Sequence, residues 1–172
     1  MIYLDNAATT LYKPRAVEQA VRRAMYGAAG YARGGYAAAS RAGELVYACR
    51  EQAAALFGVG EPERVIFTLN ATHALNIAIN ALVKPDSRVI VSGYEHNAVM
   101  RPLTARNIEP TVLDTPLWDG AAMVSALKQA LEHGANLMIL SHVSNVFGSI
   151  APLDEIAELL TAAGVPLILD AS

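Results

Sequence analysis

The feature that most constrains the fold is an alternation of short apolar runs with amphipathic segments of helical period. The apolar runs cover 65–68, 88–91, 111–115, 137–142 and 166–170. Strands that are continuously apolar belong to parallel sheets whose two faces are both covered by helices. The sequence therefore predicts an α/β fold with three layers, α/β/α, around a mainly parallel sheet.

The segments with a helical period fill the intervals between these runs and extend toward the N-terminus. They cover 14–25, 40–57, 72–83, 97–106, 121–133 and 153–163. The 40–57 segment carries the apolar stripe Leu45, Cys49, Ala53 and Leu56, which predicts that Cys49 is a buried structural residue. The 72–83 segment is predicted to direct Leu75, Ile79 and Leu82 inward. Between the first two helices, glycines and tyrosines indicate an ordered, irregular loop.

Composition limits the class of protein. A chain of 172 residues with a net charge of -3 and a pI near 5.8 has no electrostatic signature of nucleic-acid or membrane binding. The single Cys49 excludes an internal disulfide and a cysteine zinc cage. No signal peptide and no apolar run of the roughly 18 residues of a membrane span is present, so we expect a cytoplasmic protein.

The domain organisation is predicted to be one partial domain. Residues 1–60 supply helices and a loop, and residues 61–172 supply the alternating strands and helices. The sequence stops directly after a predicted buried strand, which is a poor terminus for an open sheet. We therefore expect this chain to be a truncated part of a longer protein.

Polar residues follow the predicted strands at their carboxyl ends, where open parallel sheets bind ligands. They are Asn70 and Thr72, then Tyr94, Glu95, His96 and Asn97, then Ser144, Asn145 and Gly148, and finally Asp170. Together they form an anion cradle at a helix start, a flat ring, an amide and a carboxylate. This combination suits a phosphorylated heteroaromatic cofactor.

Each of these residues also has a purely structural interpretation. Thr72 fits an N-cap, His96 a hydrogen-bonded structural histidine, Asn145 a turn and Asp170 a helix cap. A zinc or iron site built from His96, His142 and Asp170 is a further alternative without a spacing signature. The dinucleotide fingerprint, the P-loop, the HExxH pair and the GxSxG elbow are all absent from the sequence.

Five segments in order resemble pyridoxal-phosphate enzymes of aminotransferase class V, and within it the cysteine desulfurase and selenocysteine lyase group. The segments read YLDNAATT, FTLNATHALNIAIN, SGYEHNAVMRPL, SHVSNVFGSIAPL and LILDAS, and the likeness runs through all 172 residues. The resemblance implies that the chain is the N-terminal part of the large domain of the fold type I transferases, with pyridoxal 5'-phosphate as cofactor.

The resemblance also implies roles for individual residues at the cofactor. His96 stacks on the cofactor ring and assists proton transfer, which makes it the catalytic candidate. Asn145 lies near the ring oxygen and the substrate carboxylate, and Asp170 pairs with the pyridine nitrogen. The phosphate is held by Ala71, Thr72 and His73.

Other implied roles concern the substrate and the subunit arrangement. The substrate carboxylate side is lined by Asn6, Ala7 and Ala8. A loop at Arg33, Gly34 and Gly35 approaches the site of a neighbouring subunit. The resemblance implies a homodimer that acts on L-cysteine or a similar amino acid, releases L-alanine and passes sulfur to an enzyme persulfide and then to a sulfur-acceptor protein.

The sequence departs from this family in its covalent catalysts. The family needs a Schiff-base lysine after the pyridine-binding aspartate, and this chain has only Lys13, Lys84 and Lys128. None of the three is expected to serve, and Cys49 is not expected to be the sulfur-carrying cysteine. We therefore expect the chain to be inactive alone. The alternatives are another class V reaction, as in an aminotransferase, selenocysteine lyase, epimerase or kynureninase-like lyase, or a non-catalytic fragment that acts with a complementary chain.

Overall fold

The computed structural model describes residues 2–4, 6 and 9–172, which divide into two compact units. The first unit ends at Phe67 and the second is Thr68–Ser172. The first contains the helices α1 (Arg15–Gly27) and α2 (Ala37–Phe57) and a short 3-10 helix at Pro62–Arg64. The second contains α3 (Ala71–Leu82), β1 (Val89–Ser92), α4 (Asn97–Ala105), β2 (Thr111–Leu113), α5 (Gly120–Glu132), β3 (Leu137–Ser141), α6 (Leu153–Ala163) and β4 (Leu167–Asp170).

Polar contacts connect the elements of the first unit. Arg41 Nε donates to the carbonyl of Gly27 at 2.6 Å, which ties α2 to the end of α1. The hydroxyl of Tyr47 donates to Glu63 Oε1 at 3.0 Å, which ties α2 to the 3-10 helix. Gly58 ends α2 in the left-handed conformation, with φ of 66°, which glycine adopts without steric cost.

The predicted burial of the α2 stripe is wrong. Cys49, Leu45 and Leu56 are exposed, and the buried residues of α2 are Ala39 and Ala54. An apolar stripe is buried only where another element packs over it, and the described part of the first unit packs nothing over this one. Helical period therefore predicted the helix correctly and the environment of its cysteine incorrectly.

The second unit is the predicted three-layer α/β/α arrangement. Its sheet has four parallel strands in the order β2-β1-β3-β4. One core cluster joins α3 and α4 to one face of the sheet, and a second joins α5 and α6 to the other. Successive residues of β1 alternate between the two clusters, with Val89 and Val91 toward α3 and α4 and Ile90 toward α5 and α6. Because both faces are covered there, the central strands β1 and β3 are buried and apolar up to their final serines.

Two predictions for the segments that precede the sheet, at residues 65–68 and on α3, are wrong. Residues 65–68 form no strand, and Ile66 and Phe67 are 67% and 54% exposed. A parallel strand needs a neighbour that accepts its ladder hydrogen bonds, and no described residue pairs with this segment. On α3, Leu75 and Ile79 are buried as predicted, but Leu82 is 52% exposed, and Val83, directly after the helix, is buried instead.

Candidate functional site

The order of the strands creates a crevice beside β1. The chain leaves β1 through α4 to reach β2 on one side and returns through α5 to β3 on the other. The helices that follow β1 and β3 therefore lie on opposite faces of the sheet. Such a reversal opens a gap outside the carboxyl ends of the two strands, where α/β proteins bind ligands.

The N-terminus of α3 is capped by Asn70 and not by Thr72. Asn70 Oδ1 accepts the backbone N–H of His73 at 2.9 Å, and the Asn70 carbonyl accepts the N–H of Ala74 at 3.1 Å. The interpretation of Thr72 as the N-cap is therefore wrong. Helix geometry leaves the N–H groups of Ala71 and Thr72 without an intrahelical acceptor, so these two amides are available to an anion. The amide of His73 is already bonded.

His96 caps α4 with its ring. Its Nδ1 accepts the N–H of Ala98 at 3.0 Å, and its carbonyl accepts the N–H of Val99 at 2.9 Å. A neutral His96 therefore carries its proton on Nε2, which the cap leaves free. The prediction of His96 as a hydrogen-bonded structural histidine is confirmed by this cap. Its ring is nevertheless exposed and can contact a ligand.

Thr72 and His96 line the same groove between α3 and α4. The groove has a volume of about 390 Å³ and its other polar lining residues are Asn76, Asn97 and Arg101. Asn76 also donates to the carbonyl of Thr72 at 2.8 Å. Asn76 was not among the predicted site residues, although its position one helical turn after Thr72 placed it on the same face.

Glu95 connects the end of β1 to the end of β3. Its Oε1 accepts the hydroxyl of Ser92 at 2.5 Å and the N–H of Ser141 at 3.0 Å, and its Oε2 accepts the hydroxyl of Ser141 at 2.7 Å. The Glu95 carboxylate is half-buried in the crevice. Ser141 was not among the predicted site residues, and only the pairing of β1 with β3 reveals it.

Tyr94 is fixed on the other side of the same loop. Its hydroxyl donates to the carbonyl of Thr115, and its ring packs edge-on against Phe147 at 5.9 Å between centroids. Phe147 belongs to the turn that also contains Asn145. The loop after β1 and the loop after β3 are therefore in direct contact.

Asn145 lies exposed in a short hairpin after β3. The hairpin is closed by an antiparallel bridge between Val143 and Ile150 and by the N–H of Gly148, which donates to the carbonyl of Ser144 at 2.8 Å. Gly148 takes a positive φ of 68° in this turn. The turn interpretation of Asn145 agrees with this geometry.

Asp170 ends β4 beside the end of β3. Its carbonyl accepts the N–H of His142 at 2.9 Å. Its Oδ1 accepts the N–H and the hydroxyl of Ser172, at 3.1 and 2.6 Å. Its half-buried carboxylate keeps Oδ2 free of hydrogen bonds to the described residues, and this oxygen can accept a further donor.

The remaining predicted residues belong to the first unit. Asn6 is exposed, and its N–H donates to the carbonyl of Leu4 at 3.1 Å. Ala7 and Ala8 lie outside the described residues. The loop at Arg33, Gly34 and Gly35 is exposed.

The lysines of the second unit lie away from the groove. Lys84 follows the C-terminal end of α3, which has 12 residues, so it is about 18 Å along the axis from the helix start. Lys128 is exposed on α5, which packs on the opposite face of the sheet from α3 and α4. Among the described residues, His96, His142 and Asp170 form no group able to hold a metal ion. In the same part of the chain, every helix is too short or too polar to cross a bilayer.

The chain resembles known proteins along almost its whole length. The family model described as Aminotransferase class-V matches residues 2–172. A cysteine desulfurase of Serratia proteamaculans is 29% identical over 99% of this chain, and a probable cysteine desulfurase of Chlamydia muridarum is 34% identical over 98%. The chain spans 44% of the length of each of these relatives.

Solved structures share the fold. The apo cysteine desulfurase of Thermococcus onnurineus aligns with a TM-score of 0.85 at 24% identity, over 99% of this chain and 44% of that one. DndA of Streptomyces lividans aligns with a TM-score of 0.74 at 32% identity, over 99% of this chain and 49% of that one. The three-layer arrangement is thus the arrangement of the N-terminal part of a fold type I large domain.

Proposed function

Because the chain belongs to the aminotransferase class-V family, we propose that it is the pyridoxal-phosphate-binding part of a cysteine desulfurase-like enzyme. The observation that carries the proposal is the groove that Thr72 and His96 share beside the sheet crevice. One end of this groove offers donors to an anion, and its wall offers an exposed imidazole. These are the groups that a phosphorylated aromatic ring requires.

The residues present fit this cofactor. The phosphate would be held by the N–H groups of Ala71 and Thr72 and by the Thr72 hydroxyl, which makes no hydrogen bond to a described residue. The backbone N–H of His73 is already bonded to Asn70, so His73 does not donate it to the phosphate. His96 would stack on the ring, and the free oxygen of Asp170 would accept the pyridinium N–H. Asn145, with Asn6, Ala7 and Ala8, would line the substrate carboxylate.

The bound cofactor supplies an electron sink for the α-carbon of an amino acid. The carboxylate of Asp170 would keep the pyridine nitrogen protonated, which preserves that property. The cap contact at Nδ1 leaves Nε2 of His96 as the position at which a proton is held or donated. Thr72 and the α3 amides would hold the phosphate end and so keep a bound ring beside His96.

The reaction we propose for the intact enzyme converts L-cysteine to L-alanine, with the sulfur passing to an enzyme cysteine as a persulfide and then to an acceptor protein. We propose that the intact enzyme is a homodimer, as the resemblance implies, and that it is cytoplasmic, as expected from the sequence. Lys84 and Lys128 lie away from the groove, and Cys49 belongs to the first unit. On this proposal the chain alone binds the cofactor and releases no alanine from L-cysteine.

The test is a comparison of pyridoxal phosphate and pyridoxal by equilibrium dialysis. Both carry the aldehyde that reacts with surface lysines, so the difference in affinity isolates the phosphate contacts. We expect the chain to bind pyridoxal phosphate more tightly, and Thr72→Ala to lower that affinity about tenfold through loss of a hydrogen bond to a charged group.

The matched control is Thr104→Ala, because Thr104 is exposed on α4 and donates only to the carbonyl of Met100. We expect Thr104→Ala to bind as the wild type does. Equal affinity for the two compounds, or equal loss in the two variants, would contradict the proposed phosphate site.

A further inference from the structure

We propose that Glu95 is a positioning residue for His96: its carboxylate fastens the loop after β1 to the end of β3 and so fixes where the histidine ring stands. This inference rests on the proposed function, because His96 needs a fixed position only if it faces a bound ring. The geometry that supports it is independent of any cofactor.

Both oxygens of the Glu95 carboxylate are engaged by the protein. Three donors reach it: the hydroxyl of Ser92, the N–H of Ser141 and the hydroxyl of Ser141, at 2.5, 3.0 and 2.7 Å. Ser141 is 46 positions further along the chain. Glu95 thus joins the two strands that border the crevice, at the point where they diverge.

His96 is held from its other side by α4. The first turn of this helix bonds to the ring and carbonyl of His96, and Val99, in the same turn, is completely buried. The ring therefore stands between two anchors, the Glu95 carboxylate on the sheet and the buried face of α4. Without the first anchor, the loop keeps only contacts that lie before Glu95 in the chain. These are the N–H of Gly93 to the carbonyl of Leu113 at 3.2 Å and the bonds of Tyr94, whose N–H donates to the Ser92 hydroxyl at 3.2 Å.

Charge is not needed for this contact pattern, and this distinguishes positioning from a general electrostatic role. A glutamine at position 95 can accept the Ser141 N–H with its Oε1, and its amide group can donate to a serine hydroxyl that turns round. An alanine can do neither. We therefore expect Glu95→Gln to preserve the position of His96 and Glu95→Ala to release it.

The experiment is NMR of the ¹⁵N-labelled, cofactor-free chain, with amide exchange measured at Ala98 and at Leu127. The Ala98 N–H reports the cap made by the His96 ring, and Leu127 reports the opposite face of the sheet. We expect Glu95→Ala to accelerate exchange at Ala98 about tenfold, with Leu127 unchanged and with a shift of the His96 ring nitrogens. Glu95→Gln should restore the wild-type values.

Glu109→Ala is the control, because Glu109 is exposed and makes no side-chain hydrogen bond to a described residue. If Glu95→Ala does not fold, Ser141→Ala tests the same contact, since it removes one donor and keeps the backbone amide. Equal acceleration of amide exchange at Ala98 and Leu127 in Glu95→Ala would mean that Glu95 only stabilises the fold in general, and this would overturn the proposal. Unchanged exchange at Ala98 would overturn it as well. No cofactor enters this measurement, so its failure is distinct from a failure of the proposed function.

Discussion

The side chain of Asn70 accepts the backbone N–H of His73 at 2.9 Å, so the helix that faces the groove starts one residue before Thr72. This cap decides which amides the site can offer. With the His73 amide bonded, an anion at this helix start meets the N–H groups of Ala71 and Thr72 and the hydroxyl of Thr72.

The cap leads to a prediction about stability. Asn70→Ala removes the acceptor of the His73 N–H and should lower the free energy of unfolding by about 1 kcal/mol. Urea unfolding followed by circular dichroism measures it. Gln129→Ala, at an exposed position of α5, is the control and should change the midpoint little. A midpoint for Asn70→Ala equal to that of the control would show that the cap contributes nothing.

The two roles of His96 can be separated by substitution. Asparagine is among the best N-cap residues but has no aromatic ring, whereas alanine supplies neither a cap nor a ring. We expect His96→Asn to keep wild-type stability and lose affinity for pyridoxal phosphate, and His96→Ala to lose affinity and about 1 kcal/mol of stability. Thermal unfolding and equilibrium dialysis measure the two effects. Wild-type affinity in His96→Asn would exclude a role for the ring.

The contact between Tyr47 and Glu63 in the first unit predicts that stability depends on pH. The hydrogen bond to Glu63 and the negative charge of that carboxylate raise the pKa of Tyr47 above 10.0, with a smaller contribution from Glu51. The Tyr47 phenol keeps its proton to a higher pH in the folded protein than in the unfolded chain. The stability that this contact contributes is therefore complete below the unfolded-state pKa of Tyr47 and is lost as pH rises through the folded-state pKa.

Substitution of the carboxylate tests this cause. Glu63→Gln should move the pKa of Tyr47 down toward its ordinary value, because the charge is removed. NMR titration of the Tyr47 ring at alkaline pH measures the change. Glu44→Gln, an exposed position of α2, serves as the control. An identical Tyr47 titration in both variants would assign the shift to another cause.

Two residues in the last turn of α3 offer a test of burial. Ile79 is 0% exposed, whereas Leu82, three residues later, is 52% exposed. We expect Ile79→Ala to cost about 2–5 kcal/mol of unfolding free energy through lost contacts and a cavity, and Leu82→Ala to cost less than about 1 kcal/mol. Chemical denaturation of both variants measures the difference. A comparable loss for Leu82→Ala would mean that this leucine is covered in solution.

Local patterns predicted the layers of the second unit because each pattern has one physical cause. The runs VIV of β1 and LMIL of β3 are apolar at every position, since both faces of the sheet are covered, and the helices keep one apolar face toward it. Residues 65–68 carry the same pattern but pair with no residue that the structure describes, and the pattern alone cannot reveal this. The prediction of a single domain stays a prediction beside the two compact units.

The site was predictable in outline only. The carboxyl ends of the strands identified the loops that carry His96, Asn145 and Asp170, because parallel strands end at one edge, whereas Thr72 follows residues 65–68, which form no strand. The bond between Glu95 and Ser141 depends on β1 lying beside β3, and periodicity does not determine strand order. Asn70 and Thr72 are both good N-cap residues, so composition left the helix start open by two positions. The roles of these residues at a cofactor remain predictions.

The strand order also sets the sequence of events during synthesis. β2 follows β1 after one helix, whereas β3 follows only after a second helix, and β4 pairs with β3 alone. A ribosome-bound chain therefore presents β1 with one open, apolar edge until β3 has emerged, and such an edge attracts other chains. Glu95 can bond to Ser141 only after β3 has paired with β1. The crevice beside His96 therefore forms in the same late step that covers the open edge of β1 and protects the nascent chain from aggregation.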